Sequence, residues 1–86
     1  MPKFDVLVEV MLRPGIADPQ GATIERALPA LGFEGVESVH VGKAIRFSLD
    51  AGDAVAAQGT VDELCQRFLT NPVIEDATVT VTPVPA

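Results

Sequence analysis

Arg13-Pro14-Gly15-Ile16-Ala17-Asp18-Pro19-Gln20-Gly21 joins two segments of different period. Before it, Phe4, Val6, Val8, Val10 and Leu12 alternate with Asp5, Leu7, Glu9, Met11 and Arg13, the period of a strand with one face buried. After it, Ile24, Ala27, Leu28 and Leu31 recur at helical spacing. The stretch therefore has to turn the chain and start a helix. Pro14-Gly15 suits the turn, because Pro presets φ and Gly accepts a positive one. Asp18 suits the helix start, where its carboxylate can accept a hydrogen bond from a first-turn N–H. Pro19 follows at the first helical position, where a missing N–H costs nothing.

Further along, the first helix runs from Pro19 to about Leu31, with Gly32 as its C-cap. Pro29 removes a hydrogen bond and clashes in a helix interior, so a kink or loosened last turn is expected there. Val36, Val39 and Val41 give a second strand of weaker alternation. Gly42-Lys43 then reads as a tight turn, or Val41-Gly42-Lys43 as a bulge within one long ribbon. Ile45, Phe47 and Leu49 alternate with Arg46, Ser48 and Asp50 in a third strand. Val61, Leu64, Cys65, Phe68 and Leu69 form one apolar helical stripe facing a core. That helix starts either at a Thr60/Glu63 capping box or further back near Ala54, with Gly59 inside it. Asn71-Pro72 ends it, Val73 to Val81 is the last strand, and Pro83-Val84-Pro85 is a frayed tail. The order β-α-β-β-α-β predicts a single α+β domain over residues 1–86, ferredoxin-like, with two helices on one face of an antiparallel sheet.

Composition narrows the partners. Of the 86 residues 48% are hydrophobic, yet only four are aromatic, all Phe, so the core is aliphatic. A chain this short cannot bury all of that alone, which predicts a homo-oligomer, a dimer or dimer of dimers, or a place in a larger complex. A net charge of −6 repels phosphate backbones and anionic membranes, so neither nucleic acid nor membrane is expected. One cysteine, Cys65, and no signal-like or membrane-spanning run fit the cytoplasm.

The chemistry-bearing residues do not assemble into a catalytic set. Cys65 sits in the apolar stripe, where a thiol is a packing residue. His40 stands alone, and one His with one Cys cannot make a four-ligand zinc site. Glu75 and Asp76 are adjacent on a strand and point to opposite faces. Phe47 shares the register of Ile45 and Leu49 and reads as core rather than as a base-stacking platform. No catalytic, metal-binding or cofactor-binding residue is assigned, and a stand-alone enzyme is poorly supported. A small-molecule-binding regulatory module of ferredoxin-like type is the alternative that the element order allows.

Asp18-Pro19-Gln20-Gly21, Leu31-Gly32-Phe33, Val41-Gly42-Lys43 and Asn71-Pro72-Val73-Ile74-Glu75 occur together in this order. In these motifs and their spacing the chain resembles the PurS family, small subunits of the multi-subunit phosphoribosylformylglycinamidine synthase of purine biosynthesis. The resemblance implies a non-catalytic subunit that binds no cofactor itself. It implies two larger partners, an ATP-dependent synthetase and a glutaminase, with the small subunit as a dimeric bridge assisting ammonia transfer. It also marks the motif residues Asp18, Gln20, Lys43, Asn71 and Glu75 as candidate partner-interface positions.

Overall fold

The computed structural model describes residues 1–85. Alternation in the first strand becomes a division of faces. β1 (Lys3–Leu12) buries Phe4, Val6, Val8 and Val10, each no more than 4% exposed, while Lys3, Asp5 and Glu9 face solvent. β2 (Lys43–Asp50) and β3 (Glu75–Pro83) pair antiparallel on either side of it, in the order β2-β1-β3. Register sets Val8 opposite Ile45 and Val79, and Val6 opposite Phe47 and Val81, so the apolar rows line up across the sheet. On the other face Ser48 Oγ donates to Asp5 Oδ1 at 2.9 Å.

One helix covers the apolar face. α2 (Ala54–Leu64) starts at the earlier of the two expected places, capped by Asp53, whose Oδ1 accepts from Ala56 N at 2.8 Å. Thr60 bonds back to the Ala56 carbonyl instead of capping, and Gly59 lies inside the helix. Ala57, Val61 and Cys65, four residues apart, close the core against β1. The expected five-residue stripe is narrower than its pattern. Leu64 is 36% exposed and Phe68 81%. Beyond Leu64 the helix widens into a π turn, Cys65–Leu69, whose i→i+5 bond runs from Thr70 N to Cys65 O at 3.1 Å. The extra residue per turn rotates Phe68 off the core row.

Burial holds the Cys65 thiol above its ordinary value, with the nearby Asp62 charge adding to this. The neutral thiol is therefore the resting form. Cys65→Ala is expected to lower stability by about 1 kcal/mol, as for a small buried group, and to leave any activity of the assembled complex unchanged. Urea melts and complex assays on the same preparation check both halves.

Among the described residues three strands are present where four were expected. The alternation from Val36 to Val41 is interrupted at Ser38, which has a left-handed φ of 59°. No hairpin forms at Gly42-Lys43 either. Lys43 is already the first residue of β2, opposite Val10, and Gly42 passes so close to Met11 and the Val10 carbonyl that a Cβ would collide with both. The chain does not reverse, so the segment before it runs beyond the sheet. There it lies against α1 (Pro19–Ala27) instead of pairing with β2.

α1 also stands at the end of the sheet rather than over its face. Gly21 is its buried residue, and Ile24 is 46% exposed. Pro29 does loosen the last turn: α1 ends at Ala27, and Pro29–Leu31 continues as a 3₁₀ turn closed by Gly32 at φ 91°. The expected frayed tail is partly held, since β3 extends to Pro83 and Val84 N still donates to Lys3 O at 3.0 Å. With α1 beyond the sheet the chain is long, with a radius of gyration of 16.9 Å. A compact domain of this length would have about 12 Å.

Candidate partner interface

Asp18 joins the two pieces at that end. Its Oδ1 accepts the Gly21 N–H at 3.0 Å, the cap read from the sequence. Its Oδ2 accepts the Val41 N–H at 2.9 Å, across 23 positions of sequence. One carboxylate thus starts α1 and fastens the segment that leads into β2. The Gly21 and then the Val41 N–H favour the charged form and hold the carboxyl below its ordinary value. His40 Nδ1, 3.5 Å from Oδ2, adds to this while the ring itself stays largely in solvent.

A second tie lies two helical turns along. Glu25 Oε1 accepts the Val39 N–H at 2.9 Å, so Val39 and Val41 present their donors to the same side of α1. Gly21 lies between these ties, and a Cβ there would fall on the Val39 carbonyl oxygen. Glu25 and the close approach at Gly21 were not read from the sequence. Both depend on a contact between segments far apart along the chain, which no local pattern records.

Four of the five candidate interface residues line one groove, and the fifth is bonded to one of them. Asp18, Gln20, Lys43 and Glu75, with Val10 and Leu12, line an open groove of about 320 Å³ where β1 ends and β2 and β3 begin. Asn71 sits beside it and shapes the approach to β3. Its N–H donates to Glu75 Oε1 at 2.6 Å, its side-chain oxygen accepts from Val73 N at 3.1 Å, and its carbonyl accepts from Ile74 and Glu75. Lys43, expected in a turn, is instead the first residue of a strand, yet it remains exposed, with no acidic group within ion-pair distance among the described residues. Just past β1, Arg13 Nε lies 3.4 Å from Asp76 Oδ1.

The groove sets the Lys43 ammonium, the Gln20 amide and the Glu75 carboxylate beside aliphatic Val10 and Leu12, a mixture suited to polar docking. Among the described residues no three His, Cys, Asp or Glu side chains are placed to hold a metal ion, and no helix is long and apolar enough to cross a membrane.

Residues 5–83 match the family model PurS, described as phosphoribosylformylglycinamidine (FGAM) synthase. The chain belongs to the PurS family. It is 43% identical over 79 residues to the PurS subunit of this synthase from Methanothermobacter thermautotrophicus, covering 92% of the chain and 93% of that relative. Among solved structures it resembles Methanocaldococcus jannaschii PurS, a subunit of formylglycinamide ribonucleotide amidotransferase, at a TM-score of 0.85 and 33% identity, covering 95% of this chain and 99% of that one. A chain in the structure of PurLQS from Thermotoga maritima matches with a TM-score of 0.87 and 33% identity over 94% of this chain and 99% of that one. These neighbours match over 94–95% of this chain and share its α+β class.

Proposed function

We propose that this chain is the small subunit of phosphoribosylformylglycinamidine synthase in purine biosynthesis. On this reading it binds the glutaminase and synthetase subunits together and assists the passage of ammonia between them. The carrying observation is that the match runs nearly end to end in both directions, 92% of this chain against 93% of a named PurS subunit. Absence of a catalytic constellation in the sequence agrees with a subunit that has no reaction or cofactor of its own. The Thermotoga maritima neighbour, found in a PurLQS structure, supports larger partners for this chain. Self-association and a cytoplasmic setting belong to the same proposal. The exposure of Ile24, Leu31, Phe33 and Phe68 on a chain that is 48% hydrophobic supports the first.

The groove end is the proposed contact with the larger subunits, and Lys43 tests it. Lys43→Ala is expected to keep stability within about 0.5 kcal/mol of the parent, being an exposed change. It should reduce capture of the glutaminase and synthetase subunits in a pull-down, and do so most at low salt, where exposed charges act over longer range. Equal capture at low salt would remove Lys43 from the interface. Failure of the parent chain to capture either subunit, with and without glutamine and nucleotide, would remove the bridging reading. A rise in melting temperature with a free metabolite would then favour the small-molecule sensor.

A further inference from the structure

Residues 34–42 reach β2 as an irregular segment, and little of the fold holds them. Among the described residues two hydrogen bonds fasten their backbone, one from Val39 N to Glu25 and one from Val41 N to Asp18. α1 leans on the same two bonds. None of its side chains enters the core that β1 and α2 share, so these bonds and the close fit of Gly21 under Val39 set its place. The groove at that end straddles the junction. Asp18, Pro19 and Gln20 line it from the α1 side, and Val41, Gly42 and Lys43 from the segment leading into β2.

We propose that Asp18 is a positioning residue for the partner groove, its second carboxylate oxygen fixing α1 against Val41 and so the place of Gln20 relative to Lys43. The two oxygens do separate work. Oδ1 takes the Gly21 N–H at 3.0 Å and starts the helix, a task for which Asn or Ser serves as well as Asp. Oδ2 has no part in the cap. It takes the Val41 N–H at 2.9 Å, with His40 Nδ1 at 3.5 Å. Both backbone partners are donors, and a carboxylate meets them with two acceptors, whereas an amide has one oxygen and one NH2. The Asp18 side chain is only 9% exposed, so it gives a partner little surface, and its effect on docking passes through the wall it holds. Glu25 differs, since one oxygen alone takes the Val39 N–H. An amide can serve there.

The inference rests on the groove end being the contact with the larger subunits, and amide exchange followed by NMR on the full chain separates the two. Asp18→Asn should keep the cap and set an NH2 group against the Val41 N–H. Exchange at Val41 should quicken at least about tenfold, as for a lost hydrogen bond to a charged acceptor, while Gly21 and the β1 amides keep parent rates. Asp18→Ser, with one oxygen for the cap and none for Val41, should do the same. Glu25→Gln, an equal loss of charge, should leave the Val39 N–H protected. Capture of the glutaminase and synthetase subunits should weaken in both Asp18 variants, because fewer chains hold the groove in its docking form. Parent-like protection of Val41 in Asp18→Asn overturns the positioning role, and capture lost in that case assigns Asp18 to direct contact. A loosened Val41 with undiminished capture also overturns it, because docking then does not depend on this wall. A parent chain that captures neither subunit overturns the groove reading and this inference with it.

Discussion

Gly21→Ala is expected to lower the melting temperature, although Ala in an open helix position is worth about 1 kcal/mol over Gly. The site is not open. A Cβ at Gly21 would overlap the Val39 carbonyl oxygen and come within 2.7 Å of Asp18 Oδ2. Val39 cannot yield alone, because its N–H is tied to Glu25 and the next donor along, Val41, is tied to Asp18. Overpacking of this kind costs about 1–3 kcal/mol, which exceeds the propensity gain over most of that range. The net loss, up to about 2 kcal/mol, should lower the melting temperature by up to roughly 15 °C in a domain this small. Gly59, also inside a helix but with open space around its Cβ position, is the matched control, where Ala should stabilise. Equal gains at both positions in calorimetry would mean that the segment around Val39 is not held against α1.

A second large effect belongs to the centre of the sheet. Val8 is 0% exposed, sits on the middle strand between Ile45 and Val79, and packs under Val61 and Cys65. Val8→Ala removes two methyl groups where neighbours on both strands and the helix are fixed, so little collapse can fill the space. A loss of about 2–3 kcal/mol is expected. That is a large share of the roughly 4–13 kcal/mol available to a chain of this length. The corresponding drop in melting temperature is on the order of 10–20 °C. Denaturant melts should show a lower midpoint with an unchanged slope. A change below 0.5 kcal/mol, the range of exposed substitutions, would contradict the central place given to β1.

Legibility along this chain followed the range of the forces. β1 was readable because its alternation, Phe4 to Leu12, is a local record of which face is buried. Pro29 and Gly32 were readable because their effects are confined to a few bonds. The Val36 to Val41 alternation misled, since a strand also needs a partner. Whether one existed turned on the chain reversing at Gly42, and Gly42 instead continues alongside Met11. Phe68 was placed in the core by a period that the π turn changes after Leu64. At the groove, Asp18's cap was visible in Asp-Pro, but its second bond to Val41 was not. The motif residues were flagged one by one through family resemblance. Only the fold brings Asp18, Gln20, Lys43 and Glu75 to one groove.

The shape of the chain limits what it can shelter. The described residues extend 53 × 29 × 14 Å between Cα extremes, a slab one sheet and one helix deep. Stacked layers of secondary structure lie about 10 Å apart, so the thin dimension holds one interface and no more. The one buried layer is filled by the side chains of β1 and α2. A closed conduit for a small polar molecule therefore cannot run inside a single protomer; this chain can furnish one wall, and another chain must furnish the roof. Leakage from such a conduit is then governed by how tightly the subunits close on each other, and loosening the assembly would open it even with every wall residue unchanged.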